Sequence, residues 1–114
     1  MRTRVFISGP LTRGDVATNV RRALRVFHGL LDHGYAPFCP HLFVHAEEHR
    51  KRPREAWLQL DNEWLATCHA VLRLPGKSPG ADAEVALANQ LGIPVFLSQI
   101  DLYECEPAER PGGE

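Results

Sequence analysis

Apolar positions along the chain fall in short runs separated by polar and Gly/Pro punctuation. "RVFIS" (4–8) is a β-prone run ended by "GP", which predicts a strand and then a turn. Val16, Val20, Ala23, Leu24, Phe27, Leu30 and Leu31 then recur at helical spacing, with Arg21, Arg22 and Arg25 facing the other way. This is the pattern of an amphipathic helix, stopped by Gly34. "YAPFC" (35–39) predicts a second short strand, weakened by Pro37, and the stretch from Pro40 to about Pro53 shows no clear period. A second helix is expected from roughly Arg54 to Cys68, a strand at "AVLRL" (70–74), a loop at "PGKSPG", a third helix over 81–91 and a final strand at "IPVFLS" (93–98).

The alternation β-α-β-α-β-α-β predicts a single-domain three-layer α/β sandwich: a mostly parallel sheet of four to five strands flanked by helices, Rossmann- or flavodoxin-like. In such sheets ligands bind at the carboxyl ends of the strands. Three loops should meet there: "SGPLTRGD" after the first strand, "PHLFVH" after the second and "PGKSPGAD" after the third.

Two acids break the helical pattern. On the third helix Ala81, Leu87, Ala88 and Leu91 form one stripe, and Glu84 lies at its centre while Asp82 points away with Asn89. Asp82 therefore reads as a surface charge that complements the helix dipole, whereas Glu84 should project toward protein. On the second helix Trp57, Leu58, Leu60, Trp64, Leu65 and Cys68 make the apolar stripe, and Asp61 sits in its middle. A buried carboxylate without a partner costs several kcal/mol or takes up a proton. One such acid is explained by a structural ion pair. Two, on helices flanking one strand, point to a shared cleft.

The loops add candidate ligand contacts. Ser8, Gly9, Thr12 and Arg13 offer backbone access and donors for a phosphate or sugar, although an ordinary strand-to-helix turn is the plainer reading; Asp15, Thr18 or Asn19 is the expected helix cap. Ser78 and Gly80, with the N-terminus of the third helix, make either an anion pocket or a capping turn. His41, His45 and His49 are spaced four apart, the geometry of a metal cluster if helical. No H-E-x-x-H motif accompanies them and no metal site is assigned. His41, directly after the second strand, is placed to line the cleft. Trp57 is a candidate surface for a ligand ring, with core packing its default role.

Composition narrows the class. The chain has 114 residues, room for one core, with 44% hydrophobic and 24% charged positions and a net charge of −1. This balance gives no ground for a nucleic-acid polymer or a membrane surface as partner. No apolar run approaches a membrane span or a signal peptide, so a cytoplasmic protein is expected. Cys39, Cys68 and Cys105 match no zinc or redox spacing and are expected to be buried, reduced thiols. Residues 1–103 should form the domain, and 104–114, "ECEPAERPGGE", a mobile tail.

Four segments carry a family resemblance: "VFISGPLT" (5–12), "NVRRALRVFHGLLDHGYAPFCPHL" (19–42), "WLQLDNEWLATCHAVLRLPG" (57–76) and "SPGADAEVALANQLGIPVF" (78–96). In them the chain resembles the nucleoside 2-deoxyribosyltransferase superfamily, and within it the small phage and bacterial branch with an "ISGPLT"-like loop. The resemblance implies a glutamate nucleophile toward the anomeric carbon at Glu84. It also implies an aspartate that assists the leaving base or orients the sugar at Asp61, and sugar or phosphate contacts at Ser8, Gly9, Ser78 and Gly80. The implied activity is hydrolysis or transfer at the N-glycosidic bond of a nucleoside or nucleoside 5′-monophosphate, without a cofactor, by a homodimer. A non-catalytic nucleotide-binding protein, a sensor or sequestering module on the same fold, is the alternative.

Overall fold

Strand β1 (Arg4–Ser8) alternates between the two faces of the sheet, and both faces are covered. Val5 and Ile7 point into one core, and Phe6 into the other. Such two-sided burial is what an inner strand of a parallel sheet requires. The computed structural model describes residues 1–111. From β1 the chain runs through helix α1 (Val16–Asp32), strand β2 (Ala36–Phe38), a 3-10 turn (Pro40–Leu42), and helices α2 (Phe43–His49) and α3 (Arg54–Leu65). It continues through strand β3 (Ala70–Arg73), helix α4 (Pro79–Gln90), strand β4 (Val95–Phe96) and helix α5 (Gln99–Cys105).

The strands form one four-stranded sheet in the order β2-β1-β3-β4, with every pairing parallel. Val5, Ile7, Ala70 and Leu72 pack with Ala23 and Leu30 of α1 and Leu102 of α5. On the opposite face Phe6 and Val71 pack with Leu65 of α3, Cys68 and Ala88 of α4. The three-layer α/β sandwich expected from the sequence is thus the fold observed. No helix among the described residues is long and apolar enough to cross a membrane.

Several boundaries differ from expectation. The stretch after Pro40 is the 3-10 turn and α2, whose buried residues are confined to the turn. This sparse burial is why no apolar period marks it. The last strand shrinks from 93–98 to Val95–Phe96, because Ser98 leaves the strand to cap α5 by accepting the Asp101 N–H at 3.1 Å. The second helix ends at Leu65 rather than Cys68, and α4 starts at Pro79 rather than Ala81. Trp64, assigned to the buried stripe, is 48% exposed and stacks on Phe38 at a centroid distance of 5.4 Å. Leu91, placed on the inward stripe of α4, is the helix C-cap and is 49% exposed. Cys39 and Cys68 are buried free thiols, pushed up to about 11 by burial, but Cys105 is exposed at the end of α5.

The segment expected to be a loose tail from residue 104 is tied down as far as it is described. The Thr3 N–H donates to the Ala108 carbonyl at 2.8 Å, the Arg110 N–H to the Met1 carbonyl at 2.7 Å, and Arg2 and Glu109 form an antiparallel bridge. Thr3, fully buried, donates its hydroxyl to the Pro107 carbonyl and accepts from Arg110 Nε at 2.8 Å. These bonds link residues about as far apart as the sequence allows, so no local pattern signals them. The part of the tail at 112–114 lies outside the described residues.

Thr3→Val removes both side-chain bonds and leaves the Pro107 carbonyl without its donor and the Arg110 Nε–H without its acceptor. It should cost about 1–3 kcal/mol, read as a lower urea midpoint at unchanged slope. An unchanged midpoint would mean that the clasp contributes nothing.

Candidate active site

Register brings the first components together. Ser8 at the carboxyl end of β1 pairs with Arg73 at the carboxyl end of β3, and paired residues of parallel strands share a face. That face is the one covered by α3 and α4. Ser8 is fully buried there and donates its hydroxyl to Glu84 Oε1 at 2.6 Å. Glu84 reaches it from the second turn of α4, a helix started by Pro79 at its first position and by Ser78, whose Oγ accepts the Ala81 N–H at 3.1 Å. Small neighbours, Ala81 and Ala88, let the helix lie close to the sheet, and Glu84 is buried between them with 9% exposure.

Above this contact a cavity of about 360 Å³ opens. It is lined by Glu84 and Asp61 together with Gly9, Thr12, Arg13, His41, Trp57, Ser78 and Gly80. Every site residue expected from the sequence therefore lies on this wall except Ser8, which sits behind it holding Glu84. Gly9 owes its identity to packing as well as to the cavity: a Cβ there would approach Leu74 Cβ to 2.8 Å. A Cβ at Gly80 would meet open space. The first loop is shaped by Asn19, buried on α1, whose Nδ2 donates to the Leu11 carbonyl at 2.9 Å and the Arg13 carbonyl at 2.8 Å. Of the three cap candidates, Asp15 takes the position, accepting the Thr18 N–H.

The electrostatics single out the two carboxyls. Burial pushes Glu84 up to about 7, against the opposing pull of the Ser8 hydroxyl and the Arg73 guanidinium. Burial also pushes Asp61 up to about 7, and the negative charge of Glu84 adds to the rise. The two differ in their support. Glu84 has a hydroxyl donor and a cation nearby, both favouring its anion. Asp61 has a buried oxygen, Oδ1, with no hydrogen-bond partner. The Ser8 hydroxyl and Arg73 thus favour the anion of Glu84, whereas the charge of Glu84 favours the protonated form of Asp61. The other buried, partnerless side-chain polar atom among the described residues is His41 Nε2, on the same cavity. Burial holds His41 below the usual histidine range, so it is neutral near pH 7. Two orphaned polar atoms on residues that line one cavity mark where a polar ligand would restore hydrogen bonds.

Asp82, in contrast, is exposed and pairs with Arg73 Nη2 at 3.0 Å. Arg73 was not anticipated: an arginine ending an apolar strand is the signal, readable only once register sets it beside Ser8. Leu11, Phe43, Val44, Glu47, Arg54 and Leu58 also line the cavity without having been singled out. Phe43, Val44 and Glu47 belong to α2, where no period points to structure, whereas Arg54 and Leu58 belong to the expected helix α3, on which the spacing puts Leu58 in the apolar stripe. The three histidines do not share a face, since His41 is buried and His45 and His49 are exposed. Among the described residues no group of three or more His, Cys, Asp or Glu side chains is arranged to hold a metal ion.

The model of one protein family, described as a domain of unknown function (DUF7768), matches residues 3–98. The chain belongs to this family. The DUF7768 match contains every cavity residue and stops before α5. No curated protein matches the chain. Among solved structures, a 2-deoxyribosyltransferase from the psychrotolerant bacterium Bacillus psychrosaccharolyticus is similar, with a TM-score of 0.58 and 18% identity over 82% of this chain and 69% of that one. At that identity the likeness is one of fold, and it places this DUF7768 chain in the same three-layer architecture.

The raised carboxyls bear on stability with a definite sign. Between the ordinary carboxyl range, about 4, and about 7, the folded Glu84 keeps a proton that the unfolded chain has lost. Folding is therefore progressively disfavoured as pH rises through that window, and the penalty is complete above it. Glu84→Gln removes the penalty while its amide oxygen can still accept from Ser8. The variant should unfold later than the parent at pH 8, by up to about 3 kcal/mol, and the gap should close near pH 4.5. Denaturant titrations at both pH values check this, and a gap that is equal at both contradicts the burial of a titrating Glu84.

Proposed function

We propose that this chain cleaves the N-glycosidic bond of a nucleoside or nucleoside 5′-monophosphate, with Glu84 as nucleophile and Asp61 as proton donor to the departing base. The observation that carries the reading is the pairing of an anion-stabilised Glu84 with a partnerless, proton-retaining Asp61 on one cavity. The fold shared with a protein whose name is 2-deoxyribosyltransferase supports it.

In the proposed reaction a Glu84 oxygen bonds to the anomeric carbon as the bond to the base nitrogen breaks. The base leaves with the proton from Asp61. The sugar is then held as an ester on Glu84. Water, giving a proton to the Asp61 carboxylate, releases it as free sugar; a second base in place of water would give exchange. This is the two-step logic of retaining glycosidases, with the same group serving first as acid and then as base. Ser8 fixes one oxygen of Glu84 and so orients the other. Neutral His41 meets a sugar hydroxyl, and the Ser78–Gly80 turn with Arg13 holds a 5′-phosphate where one is present. A homodimer in the cytoplasm is the setting we propose for this activity.

Incubation with a panel of ribo- and deoxyribonucleosides and their 5′-monophosphates, followed by chromatography, should show free base from at least one. Glu84→Gln should lower that rate at least ~1,000-fold, and Asp61→Asn about 100-fold or more, as removal of a nucleophile and of a general acid do. The rate should fall off on both sides of about pH 7, since Glu84 must be ionised and Asp61 protonated. Ligand binding without base release anywhere in the panel favours the non-catalytic nucleotide-binding alternative.

A further inference from the structure

The proposed chemistry leaves part of the cavity wall unused. Glu47, from α2, lines the cavity together with the aromatic residues Phe43 and Trp57, which pack on each other with ring centroids 5.7 Å apart. Its carboxylate is fastened by one oxygen: Oε1 accepts from the Trp57 indole N–H at 2.8 Å and from the Arg52 backbone N–H at 3.0 Å. Among the described residues Oε2 has no recorded hydrogen bond, so it remains available. The Arg52 N–H first, and then the indole N–H, hold the carboxyl below its usual range. Glu47 is therefore ionised at neutral pH, and an ionised carboxylate only accepts hydrogen bonds.

The spacing along α3 sets where this acceptor lies relative to the chemistry. Trp57 and Asp61 are four residues apart, hence on one face of the helix and separated by about 6 Å along its axis. That is about the width of a nucleobase. A base whose glycosidic side meets Asp61 has its far edge near Trp57 and the carboxylate that Trp57 holds. The flat surfaces of Phe43 and Trp57 suit base stacking, which is tolerant of base identity. Discrimination has to come from a directed polar group. Arg54 also lines the cavity but is exposed and makes no recorded hydrogen bond among the described residues, so it has no fixed direction. Glu47 has one.

We propose, building on the reading of this site as nucleotide-cleaving, that Glu47 selects the base by accepting a hydrogen bond from an exocyclic amino group, so that cytosine and adenine are taken over uracil and hypoxanthine. An oxo base would turn a carbonyl oxygen toward the carboxylate. Acceptor would then face acceptor, and both would lose water without compensation. A site built around a polar contact rejects the analogue lacking it more strongly than an apolar pocket rejects a change of size.

The test compares matched pairs, cytidine with uridine and adenosine with inosine 5′-monophosphates, by kcat/KM for base release and by binding affinity. The parent protein should prefer the amino member of each pair by roughly 10- to 100-fold. Glu47→Gln, whose amide can present either oxygen or nitrogen, should bring the ratio within about threefold of one. Trp57→Phe keeps a ring but leaves the carboxylate held by the Arg52 N–H alone, and should shrink the same ratio. The ratio, rather than the absolute rate, is the readout, because a merely structural loss lowers both members alike. Nucleotides handled without amino preference, or a preference unmoved in Glu47→Gln, overturn the base-selecting role and leave the cleavage reading standing. If no nucleotide of either kind is bound or cleaved, the cleavage reading falls and this assignment with it.

Discussion

A carboxyl group buried next to another carboxyl group is the constraint around which this molecule is arranged. Neither Glu84 nor Asp61 is matched by a dedicated buried cation of the kind that neutralises a structural ion pair. Arg73, the nearest candidate, gives its direct contacts to Asp82, Gly76 and Leu74. A fold built only for stability would place aliphatic side chains at these positions. Here the helices that carry the acids are kept thin, with Leu65 alone buried on α3 and Ala81, Glu84 and Ala88 on α4. The opposite face of the sheet compensates. There α1 and α5 cover a cluster in which Val5, Ile7, Ala23, Leu30, Ala70, Leu72 and Leu102 are essentially inaccessible. One layer holds the molecule together and the other leaves space beside a strained pair of acids.

The central strand connects these two assignments within five residues. Its odd and even positions serve different layers, and the switch from Phe6 to Ser8 on the helix α3/α4 face marks where packing ends and the cavity begins. Ser8 is small enough to be covered and polar enough to meet a carboxylate. Arg73 makes the matching switch on the next strand, after Val71. The carboxyl edge of a parallel sheet is where such a switch costs least, because loops there carry free backbone groups and no further strand residue has to be buried.

Much of this could be read from the sequence because it rests on short-range periodicity. Strict helical spacing on α1 and α4 and the compact apolar runs of β1 and β3 gave the layers. The misfit of Glu84 and Asp61 to their stripes located the cavity. What stayed hidden rests on contacts between distant residues or on elements too short for a period. The seven-residue helices α2 and α5 carry few buried positions, so their patterns carry little information. Trp64 illustrates the opposite error: it has the spacing of a core residue, yet in the last turn of α3 it is Leu65 that enters the core, and the indole stacks on Phe38 while remaining half exposed. Asn19 looked like a cap and is a loop brace, a distinction made only by which carbonyls lie within reach.

The clasp between the start of β1 and the residues after α5 has a consequence for how the chain acquires its shape. Thr3 meets Pro107, Ala108 and Arg110, so the entrance to β1 is fully hydrogen-bonded only once a segment more than 100 residues further along the chain has arrived. Closing a loop of that length early is entropically unfavourable. The sheet and its first helices must therefore gather around β1 while its entrance is still open, with the ends brought together late, as a latch rather than a nucleus.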